Sequence, residues 1–225
     1  MPNTIALCGQ KGGAGKTTLA ISLASEWYRR GHSVLLVDLD PQGTATTWGD
    51  VASESEIDGP TVVGMGDAVR TQLPRVAEVY DFVVIDCPPR AGKRTIGALM
   101  VSDLALLPCG PSPADLWALT ESLDILSQAQ ELRPELQARI VMNGVIASST
   151  LGADVVDALA DVHVDVMEAV VHSRVAMART LAIGQGVTAS EPNSQAADEV
   201  QACVNEVERV LRKHGASVPK RKRKK

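Results

Sequence analysis

Apolar residues fall in short continuous runs along this chain, separated by stretches with helical spacing. The run Thr4 to Cys8 reads as a short strand buried on both faces, and a glycine-rich stretch follows it directly. From Thr17 to Arg30 the spacing changes to four-residue steps, with Leu19, Leu23 and Trp27 on one side of a helix and Gly31 as its stop. Ser33 to Val37 (SVLLV) is a second apolar strand, ending in Asp38-Leu39-Asp40-Pro41-Gln42. Residues 50–75 carry a mixed, weak pattern. Tyr80 to Ile85 predicts a third strand closing on Asp86-Cys87-Pro88-Pro89, and Asp103 to Pro108 a fourth. Leu116, Leu119, Leu123 and Leu126 mark the apolar face of a helix. Arg139 to Val145 predicts a fifth strand, and Val164 to Val171 holds a sixth. A last helix starts near Asn193 or Ser194, with Ala196, Val200, Cys203, Val204, Val207 and Leu211 on its apolar side.

Strands alternating with helices predict βαβ units and an α/β fold: a doubly wound, mainly parallel sheet flanked by helices. Neither a repeat nor an internal linker breaks the pattern. Aromatic residues are 3% of the chain, so aliphatic side chains and alanine must fill the core. No apolar run reaches the ~18 residues of a membrane-spanning helix, and no basic segment precedes the first strand, so neither a membrane span nor a signal peptide is expected. Four scattered cysteines (Cys8, Cys87, Cys109, Cys203) without a C-x-x-C pair argue against a zinc or iron–sulfur site within one chain, and suit a reducing compartment.

Net charge is −5, but it is unevenly spread. Lys220 to Lys225 (KRKRKK) are all basic; setting those six aside leaves 16 basic against 27 acidic residues, a body of about −11. Residues 215–225 are therefore expected as a basic, disordered tail on a single domain of residues 1–214, with a polyanion as partner.

Ligands of such sheets sit beyond the carboxyl ends of the strands, and three motifs fall there. The first is GQKGGAGKT, Gly9 to Thr17, which satisfies the phosphate-loop pattern G-x-x-x-x-G-K-[ST] between a strand and a helix. Backbone N–H groups from Gly12 to Thr17 can wrap a phosphate, with the helix start adding its positive end. Lys16 reaches the β- and γ-phosphates, and the Thr17 hydroxyl can ligate Mg²⁺. The second is FVVID: Asp86 ends the strand where a carboxylate can serve Mg²⁺. In the third, alternation puts Asp38 and Asp40 on one side of their strand. There they could bind the metal shell, orient an attacking water or hold a lysine.

K-G-G-A-G-K-T-T, with its early second lysine Lys11, resembles the deviant Walker A loop of the ParA/MinD family of ATPases. DLDPQG resembles that family's switch I and VVIDCPP its Walker B and switch II. MVSDLALLPCGPSPADLW, Met100 to Trp117, looks like the small plasmid-partition ATPases of the ParF type. The resemblance runs from Ile5 to about Leu211. It implies a P-loop fold, an ATPase using ATP and Mg²⁺, and an ATP-bound homodimer in which Lys11 crosses to the partner's ATP. Lys16 would bind phosphate in cis, along with Gly12, Gly13, Ala14, Gly15, Thr17 and Thr18. Asp40 would position the attacking water, and Thr17, Asp38 and Asp86 would serve the metal. Asn143 and the segment Glu191-Pro192-Asn193 would face adenine.

The same resemblance implies non-specific double-stranded DNA and a ParB-like adaptor as partners, a cargo (plasmid, chromosome region or protein cluster) to be segregated or positioned, and a cytoplasmic, nucleoid-associated location. Larger relatives carry a DNA-binding domain ahead of the loop. Here the loop begins within ten residues of Met1, so DNA contact is expected from Arg174, Arg179, Arg209, Arg212, Lys213 and the tail. Arg90, Lys93 and Arg94 make the segment after Walker B unusually basic, and a dimer or adaptor surface is expected there. Two other readings compete. One is a MinD-like membrane-surface ATPase, although HGASVPKRKRKK offers charge without an apolar helix face. The other is a metabolic P-loop enzyme, for which no substrate-pocket signature is found; no membrane partner is expected.

Overall fold

The computed structural model describes residues 2–90, 92–146, 155, 158–159 and 162–219. Among the described residues, seven strands form one parallel sheet in the order β3-β2-β4-β1-β5-β6-β7. They are β1 (Asn3–Leu7), β2 (Val34–Asp38), β3 (Thr61–Gly64), β4 (Phe82–Asp86), β5 (Leu104–Cys109), β6 (Gln137–Val145) and β7 (Val171–His172). The helices named among the described residues are α1 (Lys16–Arg29), α2 (Thr44–Glu54), α3 (Val69–Ala77), α4 (Lys93–Leu99), α5 (Pro113–Leu132), α6 (Val175–Ile183), α7 (Val187–Ser190) and α8 (Gln195–Lys213).

The central strands are apolar without interruption because both faces are covered. Successive residues point to opposite cores. Ile5, Leu7, Val34, Leu36, Phe82 and Val84 meet α1 and α8 on one face. Ala6, Leu35, Val37, Val83 and Ile85 meet α3, α4 and α5 on the other. Leu19, Leu23 and Trp27 are all buried, as their spacing predicts, and Trp27 stacks on Phe82 with ring centroids 4.5 Å apart. Helix α1 also carries charge inward. The buried Glu26 accepts from Arg29 and Arg30, and Arg30 reaches Glu208 of α8 at 3.1 Å. Trp27 donates its indole N–H to the same Glu208, so the phosphate-loop helix is tied to the last helix by both packing and ion pairs.

The weak stretch 50–75 contains the end of α2, then β3 and most of α3. Its signal is weak for physical reasons: β3 is an edge strand with no fully buried residue, α2 contains Gly49, and α3 contains Pro74. The sixth predicted strand shrinks to Val171–His172 plus an isolated bridge, Ile140 to Val166. Glu206 of α8 explains this. Its carboxylate accepts the N–H groups of Glu168 and Ala169 at 3.0 and 2.9 Å, where a continuous ladder would have used β6. Ser194 caps α8, its hydroxyl accepting from Ala197 N–H. Beyond α8, Ala216 and Val218 still pack on the core, and Ser217 C=O accepts from Asn3, so the chain stays on the body past Gly215. The basic run Lys220 to Lys225 lies outside the described residues.

Candidate functional site

The carboxyl ends of β1, β2 and β4 meet at one edge of the sheet, because Leu7 pairs with Asp86 and Asp38 with Asp86. The loop from Gly9 to Gly15 leaves β1 there and turns into α1. Gly13 and Gly15 hold φ of 77° and 80°, values that side-chain-bearing residues rarely adopt. A Cβ at Gly15 would also meet Asn143 Nδ2, so a side chain there would have to push that amide aside. Asn143 sits on β6 and donates to Ala14 C=O at 2.7 Å. It braces the phosphate loop. Gly12, Gly13 and Ala14 lie at the loop's outer turn, with the first two exposed, while Thr17 and Thr18 open α1. Pro192 and Asn193 are exposed between α7 and α8.

The two lysines differ in kind. Lys16 is buried and curls back to donate to Lys11 C=O at 3.0 Å. Burial pushes its pKa down, with Asp86 opposing. Lys11 is 40% exposed at its side chain and donates to Asp115 Oδ1 at 2.7 Å. Asp115 closes the capping box at the start of α5, where its other oxygen accepts from Ser112 N–H at 3.1 Å. Burial pushes the Asp115 carboxyl up, but Lys11 and Ser112 outweigh it and hold it below the usual range.

The three strand-end aspartates also separate. Asp38 is buried and fully engaged: Oδ1 accepts Asp40 N–H at 3.0 Å, and Oδ2 accepts the N–H and hydroxyl of Thr46 at 2.9 and 3.1 Å. It scaffolds the switch segment. Asp40 is half-buried and accepts from Gln42 N–H at 2.9 Å. Asp86 is 1% exposed, yet neither carboxylate oxygen has a hydrogen-bond partner. Burial pushes it up to about 7, Asp38 adds to this, and Thr17 and Lys16 oppose it. A buried carboxylate with no partner within hydrogen-bond distance is open to a ligand. With the Thr17 hydroxyl and Lys16 beside it, the donor set fits a hard divalent cation held together with phosphates. No group of three or more His, Cys, Asp or Glu side chains suited to holding a metal by itself occurs among the described residues.

Residues 5–187 match the model of the CobQ/CobB/MinD/ParA nucleotide binding domain. The chain belongs to this family. Among ParA/MinD-type relatives, maintenance of carboxysome distribution protein A of Halothiobacillus neapolitanus is 33% identical over 209 residues, covering 91% of this chain and 95% of the relative. The chromosome-partitioning ATPase Soj of Thermus thermophilus is 31% identical over 239 residues, covering 90% and 94%. In fold, the chain is similar to cobyrinic acid a,c-diamide synthase of Mycobacterium smegmatis with bound ADP and magnesium. The TM-score is 0.77 at 22% identity, covering 98% of this chain and 99% of that one. The ParA/MinD membership agrees with the sequence resemblance, and the parallel doubly wound sheet agrees with the expected fold class.

The arginines expected to contact DNA are each paired with an acidic residue. Arg174 follows β7 and is drawn into an ion pair with Glu199 at 2.6 Å, which also holds His172. Arg179, on α6, is 63% exposed beside Glu191. Arg209, Arg212 and Lys213 lie at the far end of α8. Arg209 and Lys213 line a groove there with Arg139, near the start of β6, at the edge of the sheet opposite the phosphate loop. Arg209 and Arg212 face Glu168 and Glu208 at 3.6 and 2.7 Å. In the basic segment after Walker B, Arg90 and Lys93 are exposed, whereas Arg94 turns inward. Among the described residues, no helix is long and apolar enough to cross a membrane. Ser122, whose hydroxyl accepts from Gln10 N–H at 3.1 Å, and Asp115 are site residues that motif reading passes over. The only local signal was the S-x-x-D capping box.

Proposed function

We propose that this protein is a Mg²⁺-dependent ATPase that dimerises on ATP, binds double-stranded DNA without sequence preference in that state, and positions a cargo through an adaptor that stimulates hydrolysis. The observation that carries this reading is the division of labour between the two loop lysines. Lys16 is buried inside the loop, beside the buried Asp86, whereas Lys11 is partly exposed and is held by a carboxylate at the start of α5. A cation that serves only its own chain's nucleotide has no need to face outward. One lent to a second chain does, and it makes association depend on the phosphate it meets.

In this reading the loop N–H groups and Lys16 hold the β- and γ-phosphates. Thr17 and Asp86 would hold Mg²⁺, which when bound offsets charge on the phosphate oxygens. Asp40 orients the attacking water, and Asp38 keeps Asp40 in place through its backbone N–H. The relatives named for carboxysome distribution and chromosome partitioning support a positioning role. DNA contact is assigned to the exposed Arg179, Arg209, Arg212 and Lys213 and to the basic run beyond them, which fits a nucleoid-associated protein of the cytoplasm.

The test is duplex DNA binding by the Asp40→Ala protein in ATP and in ADP at about 150 mM salt. Binding in ATP alone is expected. Equal binding in both states, lost on removing Lys220 to Lys225, would reduce the DNA signal to tail charge and overturn the nucleotide switch. Lys16→Ala is expected to abolish nucleotide binding. Lys11→Ala should keep ADP and lose the ATP dimer.

A further inference from the structure

Arg94, the second residue of α4, does not join the exposed basic surface around it. Its side chain is 31% exposed and crosses to the switch segment. Nη1 donates to Leu39 C=O at 3.0 Å, and Nε donates to Asp67 Oδ1 at 2.8 Å. Leu39 lies between Asp38 and Asp40, and its own N–H donates to Asp86 C=O at 3.0 Å. Its carbonyl lies just past the end of β2, where the ladder no longer supplies a donor.

The peptide plane that matters is the one joining Leu39 to Asp40. Its C=O is held by Arg94, and its N–H is held by Asp38 Oδ1 at 3.0 Å. A peptide unit is planar, so fixing both ends fixes the direction in which the Asp40 Cα leaves it. Asp38 ends the strand that leads into Asp40, but Arg94 belongs to the helix after Walker B. We infer that Arg94 is a positioning residue for hydrolysis: it clamps the Leu39–Asp40 peptide from the switch II side and thereby sets the aim of the Asp40 carboxylate. Asp67 only steadies the guanidinium. It is 64% exposed at its side chain, and an ion pair in that setting contributes little by itself.

This inference rests on the proposed role of Asp40. A displacement of about 1 Å of a positioned group can cost on the order of 100-fold in rate. Arg94→Ala is therefore expected to lower kcat for ATP by about 10- to 100-fold, with the Kd for ATP and ADP changed by less than about twofold. Arg94→Lys, which keeps one donor within reach of the carbonyl, should recover part of the rate. Asp67→Ala should stay within about twofold of the parent. In the Asp40→Ala background, adding Arg94→Ala should cost nothing further, because the two changes act on one group.

The measurements are steady-state ATPase, nucleotide Kd by fluorescence titration, and thermal melting of each variant. Equal kcat for Arg94→Ala and parent overturns the inference. So does an additive loss in the double variant, or an Asp67→Ala defect as large as that of Arg94→Ala. If Arg94→Ala melts below the assay temperature, Arg94→Lys and the double variant built with Arg94→Lys decide the matter by the same comparisons. An active parent with an inactive Asp40→Ala and an undamaged Arg94→Ala removes this inference alone. A parent that does not hydrolyse ATP removes the function proposed above and this inference with it.

Discussion

Replacing Asp115 by asparagine isolates what holds Lys11 in the free chain. The Lys11–Asp115 contact is short, 2.7 Å, and joins a partly exposed ammonium to a carboxylate that is 10% exposed. A charged hydrogen bond of this intermediate burial contributes about 1 kcal/mol. If ATP-driven association requires each chain to free its Lys11 for the other, two such contacts break per dimer, at a cost of about 2 kcal/mol. Asp115→Asn would remove most of that cost and tighten the ATP dimer about 10-fold, with about 30-fold as the ceiling. It also removes a negative charge from the start of α5, which lowers stability by about 0.5 kcal/mol, small enough to leave the fold intact. The assay is sedimentation of Asp40→Ala and Asp40→Ala/Asp115→Asn in saturating ATP across a dilution series. An unchanged or weaker dimer from a protein of normal melting temperature would refute the reasoning. Asp115 would then be presenting Lys11 to the partner rather than restraining it.

Other expectations follow from the same geometry. Asp86→Asn should raise the melting temperature of the nucleotide-free protein at pH 8 and abolish any Mg²⁺-dependent gain. The fold binds the Asp86 proton up to about pH 7, whereas the unfolded chain releases it near 4, so stability from this group falls as pH rises between those values. A parent and variant with the same pH–melting profile would contradict this. Gly15→Ala must displace Asn143 and adopt a disfavoured φ, and is expected to lose nucleotide binding, read by titration, while the protein still folds. Glu26→Ala removes one of the two carboxylates that hold the buried Arg30, with Glu208 remaining, and should cost about 2 kcal/mol in urea unfolding. Burial raises the Glu26 carboxyl, but Arg29 and Arg30 hold it below its usual value, so the stability that depends on its charge is present at neutral pH and lost as pH falls through the folded pKa.

The parts of the molecule legible in its sequence are those where one local rule dominates. β1, β2, β4 and β5 are buried on both faces, so their apolar runs are continuous and their ends coincide with the glycine loop, Asp38 and Asp86. The helix starting at Ser194 announces itself through its cap and its apolar stripe. β3 leaves little trace because an edge strand has only a partial apolar face, and β7 is short because Glu206 of a distant helix takes the backbone donors of Glu168 and Ala169 just before it. Within the site, the loop spacing identifies Lys16 and Lys11, but the partners that set their behaviour come from elsewhere. Asp115 lies 104 residues from Lys11, and Asn143 lies 129 residues from Ala14. The same applies to Arg94, whose charge suggested an outward surface before the fold turned it onto Leu39. Asp38 and Asp86 look equivalent as strand-end carboxylates, and only their hydrogen bonds distinguish a scaffold from an open ligand.

β1 stands near the middle of the sheet, between β4 and β5. Its contacts with the start of each neighbour span 78 and 99 residues of chain. During synthesis, therefore, the strand that carries the phosphate loop emerges well before either strand it pairs with. Until β4 and β5 have left the ribosome, Ile5, Ala6 and Leu7 have an apolar run and open backbone groups but no sheet to enter. Closing such distant pairs is slow compared with forming α1 or α5. The nascent segment from Asn3 to Leu7 is thus open to chaperone capture or mispairing, and the phosphate loop waits for strands made later before its sheet is in place.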